Sequence, residues 1–202
     1  MTQDYFERWR NHTPTLMGAQ TAYAVLVPLV YEPGAEEPSL LFELRSGNLR
    51  RQPGEVCFPG GKLEAGETPE QCALREAQEE LNLPASAVEV IGPMDFVCGQ
   101  ANFLLHPILA RVSDFDPAAL HPNPDEVAET FLVPVSFFRQ PPLISTYHLQ
   151  PQVAEDFPYE LIGFPKGYPW RGAQVDVPIY RYGDHTIWGL TGRIVRDLFS
   201  HL

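Results

Sequence analysis

Residues Gly61 to Leu83 read GKLEAGETPEQCALREAQEELNL and contain the most informative pattern in the chain. Thr68 and Gln71 have the spacing of a capping box, and Pro69 occupies the first helical position between them. Pro84 then ends the helical pattern, because proline cannot continue a helix. The sequence therefore predicts a glycine-flanked loop followed by a helix that starts at Pro69 and ends shortly before Pro84.

This helix gathers acidic side chains. At about 100° per residue, Glu76, Glu79 and Glu80 fall within an arc of roughly 100°. The residues predicted on the opposite, apolar side are Leu74, Ala77 and Leu81. Arg75 precedes Glu79 by four residues and can pair with it. The three carboxylates repel each other, and Mg²⁺ or Mn²⁺ would relieve the repulsion because both prefer oxygen ligands. A solvated helix face is the alternative, and helix spacing alone does not decide between them.

The spacing of charged residues over a longer segment favours the metal site over the solvated face. The segment resembles the signature of the Nudix hydrolases: Gly61 is followed after five residues by Glu67, and Glu67 after seven residues by the run from Arg75 to Glu80. Every charged position and the first glycine match that signature. Two positions depart from it: Ala77 is small for an aliphatic site, and Asn82 replaces the second glycine. Asparagine tolerates a left-handed helix end nearly as well as glycine, so the second departure weakens the match little.

The resemblance implies an α/β fold, the Nudix α/β/α sandwich with a mixed β-sheet between helices. It also implies metal-dependent hydrolysis of a nucleoside diphosphate linkage with Mg²⁺ or Mn²⁺. Glu76 and Glu80 are then the metal ligands, and Glu79 is a third ligand or orients a metal-bound water. Arg75 would orient the glutamates, whereas Glu67 would be mainly structural.

A second motif precedes the first. It resembles the additional signature of the coenzyme A pyrophosphatase branch of Nudix enzymes. Its residues are Arg45-Ser46, Arg50, Gly54 and the run from Phe58 to Gly61. The departures are Phe42 for an aliphatic residue and Glu43 for the usual threonine. The resemblance implies coenzyme A or its acyl derivatives as substrate, with 3′,5′-ADP and (acyl-)4′-phosphopantetheine as products.

The chemistry of this segment agrees with a phosphate ligand. Arg45, Arg50 and Arg51 form a small basic cluster in which at least one guanidinium can fork onto phosphate oxygens, although these arginines could instead pair with nearby Glu43 and Glu55. Gly60 and Gly61 would let the backbone approach a ligand closely, or they could simply form the turn.

A later loop offers further carboxylates, because such enzymes often take a general base or extra ligand from this part of the chain. The candidates are Asp125, Glu126 and Glu129. Glu126 is the preferred base because it directly follows the loop. A solvated strand edge is the alternative reading of this residue.

Length, composition and net charge limit the domain organisation and the classes of partner. A chain of 202 residues that is 44% hydrophobic suits one domain over residues 1–202, with an N-terminal helix or arm over 1–20 and a C-terminal helix over 184–202. The net charge of -12 argues against nucleic acid and anionic membrane as partners. Cys57, Cys72 and Cys98 show no paired spacing, which predicts a reducing compartment and no zinc site. Without a recognisable signal peptide or transmembrane run, we expect a cytoplasmic protein, and the sequence is compatible with a homodimer.

Hydrophobic patterning predicts the remaining elements. Strands are expected over residues 22–31, 39–44, 56–58, 88–98, 103–112, 126–133, 159–164 and 175–182, and helices over 4–10 and 187–199. Pro28 predicts a bulge or an edge position for the first strand, since proline cannot donate a ladder hydrogen bond.

Two other functions compete with coenzyme A hydrolysis. One is a Nudix hydrolase for ADP-ribose, a dinucleoside polyphosphate or an oxidised nucleotide. The other is a non-catalytic Nudix-fold binding module, which is disfavoured because all three helix glutamates are kept.

Overall fold

The computed structural model describes residues 10, 12, 17–18, 21–99 and 102–200. The helix predicted over residues 4–10 therefore lies outside the described residues except at its last position. The residues described below as a candidate site lie within these ranges.

A mixed eight-stranded sheet forms the middle layer. Its strands are β1 (Thr21–Val30), β2 (Ser39–Arg45), β3 (Val56–Cys57), β4 (Gly60–Lys62), β5 (Val88–Pro93), β6 (Val97–Gly99), β7 (Phe103–Val112) and β8 (Val127–Pro134). The order is β3-β2-β1-β7-β5, while β4 pairs with β1, β6 with β7 and β8 with β2. β1 and β7 run parallel, and the other pairs in this sheet run antiparallel.

Two helices cover the two faces of this sheet. The first, α1 (Pro69–Leu81), packs with Leu26, Leu41 and Ile108 in one buried cluster. The second, α2 (Gly189–Ser200), packs with Leu40 and Phe42 in a separate buried cluster. Neighbouring residues of β2 thus point to opposite layers, as the strand period of two requires. The predicted α/β/α sandwich is confirmed.

The position of Pro28 contradicts the predicted bulge or edge. β1 is a central strand, paired with β7 along its whole length. On its other side it pairs with β4 at Tyr23–Val25 and with β2 at Leu29–Val30. Pro28 lies between these two pairings, where its missing N–H costs no ladder hydrogen bond.

A second, three-stranded sheet contains β9 (Leu143–Leu149), β10 (Ala173–Tyr182) and β11 (His185–Ile187). The strand predicted over residues 159–164 is wrong, because local hydrogen bonds such as Phe164 N to Tyr159 O close turns there. β9 takes the place beside β10 although the sequence pattern did not predict it. The strand predicted over 88–98 is split into β5 and β6, which both pair with β7.

Candidate active site

Both ends of α1 are fixed by local hydrogen bonds. Gln71 N donates to Thr68 Oγ1 at 3.2 Å, and Thr68 N donates to Gln71 Oε1 at 2.9 Å, which completes the predicted capping box. Asn82 ends the helix with a left-handed φ of 57°. Because start and end are fixed, the directions of the acidic side chains along the helix are fixed as well.

Arg75 joins the loop to the helix. Its Nε lies 2.9 Å from Glu67 Oε1, and its Nη1 lies 2.8 Å from Glu76 Oε1 and 3.1 Å from Glu79 Oε2. The hydrogen bond from Arg75 is the main cause that lowers the pKa of Glu67 to about 2. The same hydrogen bond to Glu67 is the first cause that raises the pKa of Arg75. Arg75 therefore contacts Glu67 in the loop and two glutamates of the helix, and one guanidinium orients three carboxylates.

The three helix glutamates differ in exposure, which argues against the alternative of one solvated acidic face. The Glu79 side chain is 56% exposed and that of Glu76 is 15% exposed. Glu80 is only 4% exposed, and its Oε2 accepts a hydrogen bond from Gly60 N at 2.8 Å. The side of α1 that bears Glu80 is therefore packed against β4, so helix spacing alone misjudged its surroundings.

Burial changes the acidity of these carboxyls. Loss of water raises the pKa of Glu80 to about 9, and repulsion from Glu43, Glu76 and Glu126 adds to it. Burial is also the largest cause that raises the pKa of Glu76, which Arg75 partly offsets. The folded protein thus holds carboxyl groups that resist full ionisation together at neutral pH.

The two glycines of β4 allow close approach of these acids to the sheet. A Cβ on Gly61 would overlap the Glu76 carboxylate, and a Cβ on Gly60 would overlap the carbonyl oxygen of Ala24. Both glycines lie in the strand itself. The lack of a side chain at Gly61 lets Glu76 lie directly against the backbone, and the lack of one at Gly60 lets β4 approach β1 closely.

Glu43 joins the site, and the sequence marked it only as a departure from the coenzyme A motif. It is fully buried on β2. Its Oε1 accepts a hydrogen bond from Cys57 Sγ at 3.1 Å, while its Oε2 has no hydrogen-bond partner among the described residues. Burial raises the pKa of Glu43 to about 7. The departure from threonine was the signal that could have identified it.

Of the three later carboxylates, only Glu126 is brought to the helix acids. Its backbone carbonyl accepts from Ser46 N at 2.7 Å, and its negative charge raises the pKa of Glu43, Glu76 and Glu80. Glu129 is exposed and lies 3.4 Å from His185 Nε2. Asp125 is exposed in the loop.

A cavity of about 730 Å³ adjoins this group of acids. Its polar lining includes Arg45, Arg51, Gly60 and Gly61, and its apolar lining includes Tyr23, Phe58, Phe103 and Trp188. Arg45 Nε is buried without a hydrogen-bond partner among the described residues. Arg50 and Arg51 are both exposed, and of the two Arg51 lines this cavity, so the substrate-binding role expected for Arg50 stays a prediction.

The acidic residues fit a hard divalent cation by the chemistry of their donors. All are carboxylate oxygens, and their mutual repulsion is what a cation would relieve. Within the described ranges, however, no three His, Cys, Asp or Glu side chains converge closely enough to hold a metal ion as they stand. Glu76 and Glu80 are occupied by Arg75 and Gly60 N, so binding would require these contacts to be shared or exchanged.

Fold and site together define a three-layer α/β/α protein with an acid-rich helix beside a ligand-sized cavity. A family model described as the NUDIX domain matches residues 20–148 of the chain. The chain belongs to the Nudix hydrolase family.

Relatives and solved structures agree with this assignment. The chain is 35% identical to a Photorhabdus laumondii protein named uncharacterized Nudix hydrolase NudL, over 87% of this chain and 81% of that protein. It is 34% identical to the human mitochondrial coenzyme A diphosphatase NUDT8, over 90% of this chain and 70% of the relative. The mouse peroxisomal coenzyme A diphosphatase NUDT7 is 41% identical over 59% of this chain and 49% of its own length.

Two crystal structures share the fold. A MutT/nudix family protein from Enterococcus faecalis matches with a TM-score of 0.54 at 15% identity, over 100% of this chain and 69% of its own. The Nudix hydrolase RenU from M. smegmatis matches with a TM-score of 0.50 at 26% identity, over 58% of this chain and 73% of its own. In the described part of the chain, neither helix has the length and apolarity needed to span a bilayer.

Proposed function

We propose that this chain is a metal-dependent pyrophosphohydrolase that cleaves the diphosphate of coenzyme A or its acyl derivatives to 3′,5′-ADP and (acyl-)4′-phosphopantetheine. The observation that carries the proposal is that the acid-rich helix packs against β4, whose Gly60 and Gly61 line a cavity with two arginines and aromatic walls, and that Gly60 N donates to Glu80. The coenzyme A diphosphatases among the relatives support the same substrate.

The substrate has chemistry that this cavity can recognise. Coenzyme A carries a diphosphate, a 3′-phosphate, an adenine ring and a partly apolar pantetheine arm. Arg45 and Arg51 offer guanidinium groups to the phosphates, and the unpartnered Nε of Arg45 is a buried donor that still lacks an acceptor among the described residues. Tyr23, Phe103 and Trp188 offer apolar surface to the ring or the arm.

The proposed reaction is the hydrolysis of one phosphoric anhydride bond. A water oxygen bonds to one phosphorus, the bond from that phosphorus to the bridging oxygen breaks, and the water proton leaves to a base. Glu126 is our proposed base, with Glu79 as the helix carboxylate that orients the water. Glu76 and Glu80 would hold a divalent cation, Mg²⁺ or Mn²⁺, with Glu79 as a third ligand. Such an ion would neutralise phosphate charge and make the bound water more acidic.

Arg75 and the β4 glycines have positioning roles in this proposal. Arg75 holds Glu76 and Glu79 at fixed angles while it binds Glu67 in the preceding loop. Gly60 and Gly61 line the cavity, and their backbone lies against the side chains of Glu80 and Glu76, respectively. A ligand that enters the cavity therefore contacts Gly60 and Gly61 of β4 as well as the arginines.

The direct experiment incubates the protein with coenzyme A and Mn²⁺ or Mg²⁺ and identifies the products by mass. We expect 3′,5′-ADP and 4′-phosphopantetheine, and none without a divalent cation. ADP-ribose, a dinucleoside polyphosphate and an oxidised nucleotide form the comparison panel. Turnover of one of these with coenzyme A untouched would refute the substrate, and binding without turnover of any would favour a non-catalytic module.

A matched pair of variants tests the arginines. Arg51 lines the cavity and its neighbour Arg50 does not, so Arg51→Gln should raise KM for coenzyme A about tenfold with kcat little changed. Arg50→Gln tests the sequence-based expectation for that residue. A larger effect at Arg50 than at Arg51 would show that the cavity is not the phosphate site.

The remaining features of the proposal concern the whole chain. We propose a single domain over residues 1–202 that works on a small molecule in a reducing compartment such as the cytoplasm, which the three free cysteines support. A homodimer stays a prediction, and light scattering on the purified protein tests it.

A further inference from the structure

The side chain of Glu43 is the least expected group near the acidic helix. Glutamate is rarely buried without a partner because an unpaired carboxylate loses its hydration. Here the side chain is fully buried, and one of its two oxygens has no hydrogen-bond partner among the described residues. The related motif has threonine at this position, so the carboxylate is a property of this chain.

The strand register directs Glu43 toward α1. Leu41 belongs to the buried cluster that includes α1, whereas Leu40 and Phe42 belong to the cluster on the other face. Since side chains alternate along a strand, Glu43 has the same direction as Leu41. The acid therefore approaches from the sheet the helix that bears Glu80.

Two neighbouring hydrogen-bonded contacts link Glu43 and its strand to the residues around Glu80 and Glu126. Cys57, which is paired with Glu43 across the β2–β3 ladder, donates to Glu43 Oε1, and the chain then continues to Gly60, whose N–H binds Glu80. On the other side of β2, Ser46 N binds the carbonyl of Glu126.

We propose that Glu43 is an additional oxygen ligand for the divalent cation, contributed by the sheet opposite the helix glutamates. Its free Oε2 has the chemistry that a hard cation requires, and no described protein group competes for that atom. The inference rests on the proposed cation site of Glu76 and Glu80 and extends it by a residue that the family signature does not include.

The test measures cation binding rather than activity. Free Mn²⁺ is followed by electron paramagnetic resonance while the metal-free protein is titrated, for the parent and for Glu43→Gln, Glu43→Thr, Glu80→Gln and Glu89→Gln. Gln keeps the oxygen that accepts from Cys57, and Thr restores the residue of the related motif. Glu89 is an exposed glutamate on β5 and serves as the charge control.

We expect Glu43→Gln and Glu43→Thr each to weaken Mn²⁺ binding at least tenfold or to remove one bound ion, with Glu89→Gln within twofold of the parent. Circular dichroism and thermal unfolding in EDTA establish that each variant is folded. Unchanged Mn²⁺ affinity and stoichiometry in either folded Glu43 variant would overturn the inference.

The same titration separates this inference from the proposed function. If Glu80→Gln loses the ion and the Glu43 variants do not, only the role of Glu43 is refuted. If the parent binds no Mn²⁺, both the cation site and this extension of it are refuted. If the Glu43 variants bind more weakly while the parent leaves coenzyme A intact, Glu43 stands as a ligand and the substrate proposal fails.

Discussion

Replacement of Glu80 by glutamine should stabilise the metal-free protein. Glu80 is 4% exposed and its pKa is raised to about 9, first by burial and then by repulsion from Glu43. The folded state therefore keeps a proton to higher pH than the unfolded chain, whose carboxyl titrates near 4.5. Unfolding releases that proton, so the free energy of unfolding of the parent falls as pH rises between 4.5 and about 9.

The size of the effect follows from this window. At pH 8 the unfolded carboxyl has been ionised across more than three pH units in which the folded group stays protonated. At about 1.4 kcal/mol for each unit, the ceiling is about 5 kcal/mol. The mutual repulsion of Glu80 and Glu43 is shared between two groups, and the neutral amide oxygen accepts more weakly from Gly60 N. We therefore expect Glu80→Gln to raise the free energy of unfolding by about 2 kcal/mol at pH 8.

Urea unfolding in EDTA, followed by circular dichroism from pH 5 to 9, measures this. The parent should lose stability across the range, and Glu80→Gln should show a flatter profile. Glu79→Gln is the matched control, because it removes a carboxylate from the same helix that is 56% exposed, and its profile should follow the parent. With Mn²⁺ present, the parent should gain stability and the Glu80 variant should gain much less.

Two results would refute the reasoning. One is a Glu80→Gln protein that is less stable than the parent at pH 8 in EDTA. The other is a parent whose stability is constant between pH 6 and pH 9, since a buried carboxyl with a raised pKa must contribute a slope in that range.

Three further substitutions test the structure around α1. Arg75→Ala removes ionic contacts to three carboxylates, so it should reduce kcat for the diphosphate substrate at least tenfold in steady-state kinetics and the free energy of unfolding by about 1–2 kcal/mol in urea. Unchanged kcat would show that Arg75 does not position the glutamates. Gly61→Ala should displace Glu76 and weaken both Mn²⁺ binding and turnover at least tenfold. Gly47→Ala is the control, because Gly47 has open space for a Cβ, and equal behaviour of the two variants would contradict the close approach of Glu76 to Gly61. Asn82→Ala should lower the free energy of unfolding by about 1 kcal/mol, because alanine disfavours a φ of 57°. Asn82→Gly should be at least as stable as the parent, and a glycine variant less stable than the alanine variant would contradict the left-handed helix end.

The predicted bounds of α1 hold because they depend on neighbours in the chain. Thr68 and Gln71 exchange their hydrogen bonds within three residues of sequence, and Arg75 meets Glu79 one helical turn away. Such contacts are visible in the spacing of residue types. The alternation of apolar residues likewise predicts most strands of the main sheet, although not their order.

The strands of the small sheet show where this reasoning fails. Residues 159–164 have the apolar and aromatic composition of a strand, yet they close turns by local hydrogen bonds. β9 forms instead because β10 offers it a ladder of partners from Ala173 to Ile179. Strand formation depends on a partner that is distant in the chain, and composition does not identify that partner.

Local geometry can be predicted from the residue order of this protein: a capped helix with Glu76, Glu79 and Glu80 at fixed angles, and the order of charged residues that assigns it to its family. Which of these acids is buried depends on the tertiary fold, because helix spacing sets the angles between side chains but not which side meets the sheet. The tertiary fold also placed Arg51 rather than Arg50 at the cavity and brought Glu43 to the helix from a strand that is remote in sequence. Burial and approach between distant segments are properties of packing, and packing sets the charge and contacts of this site.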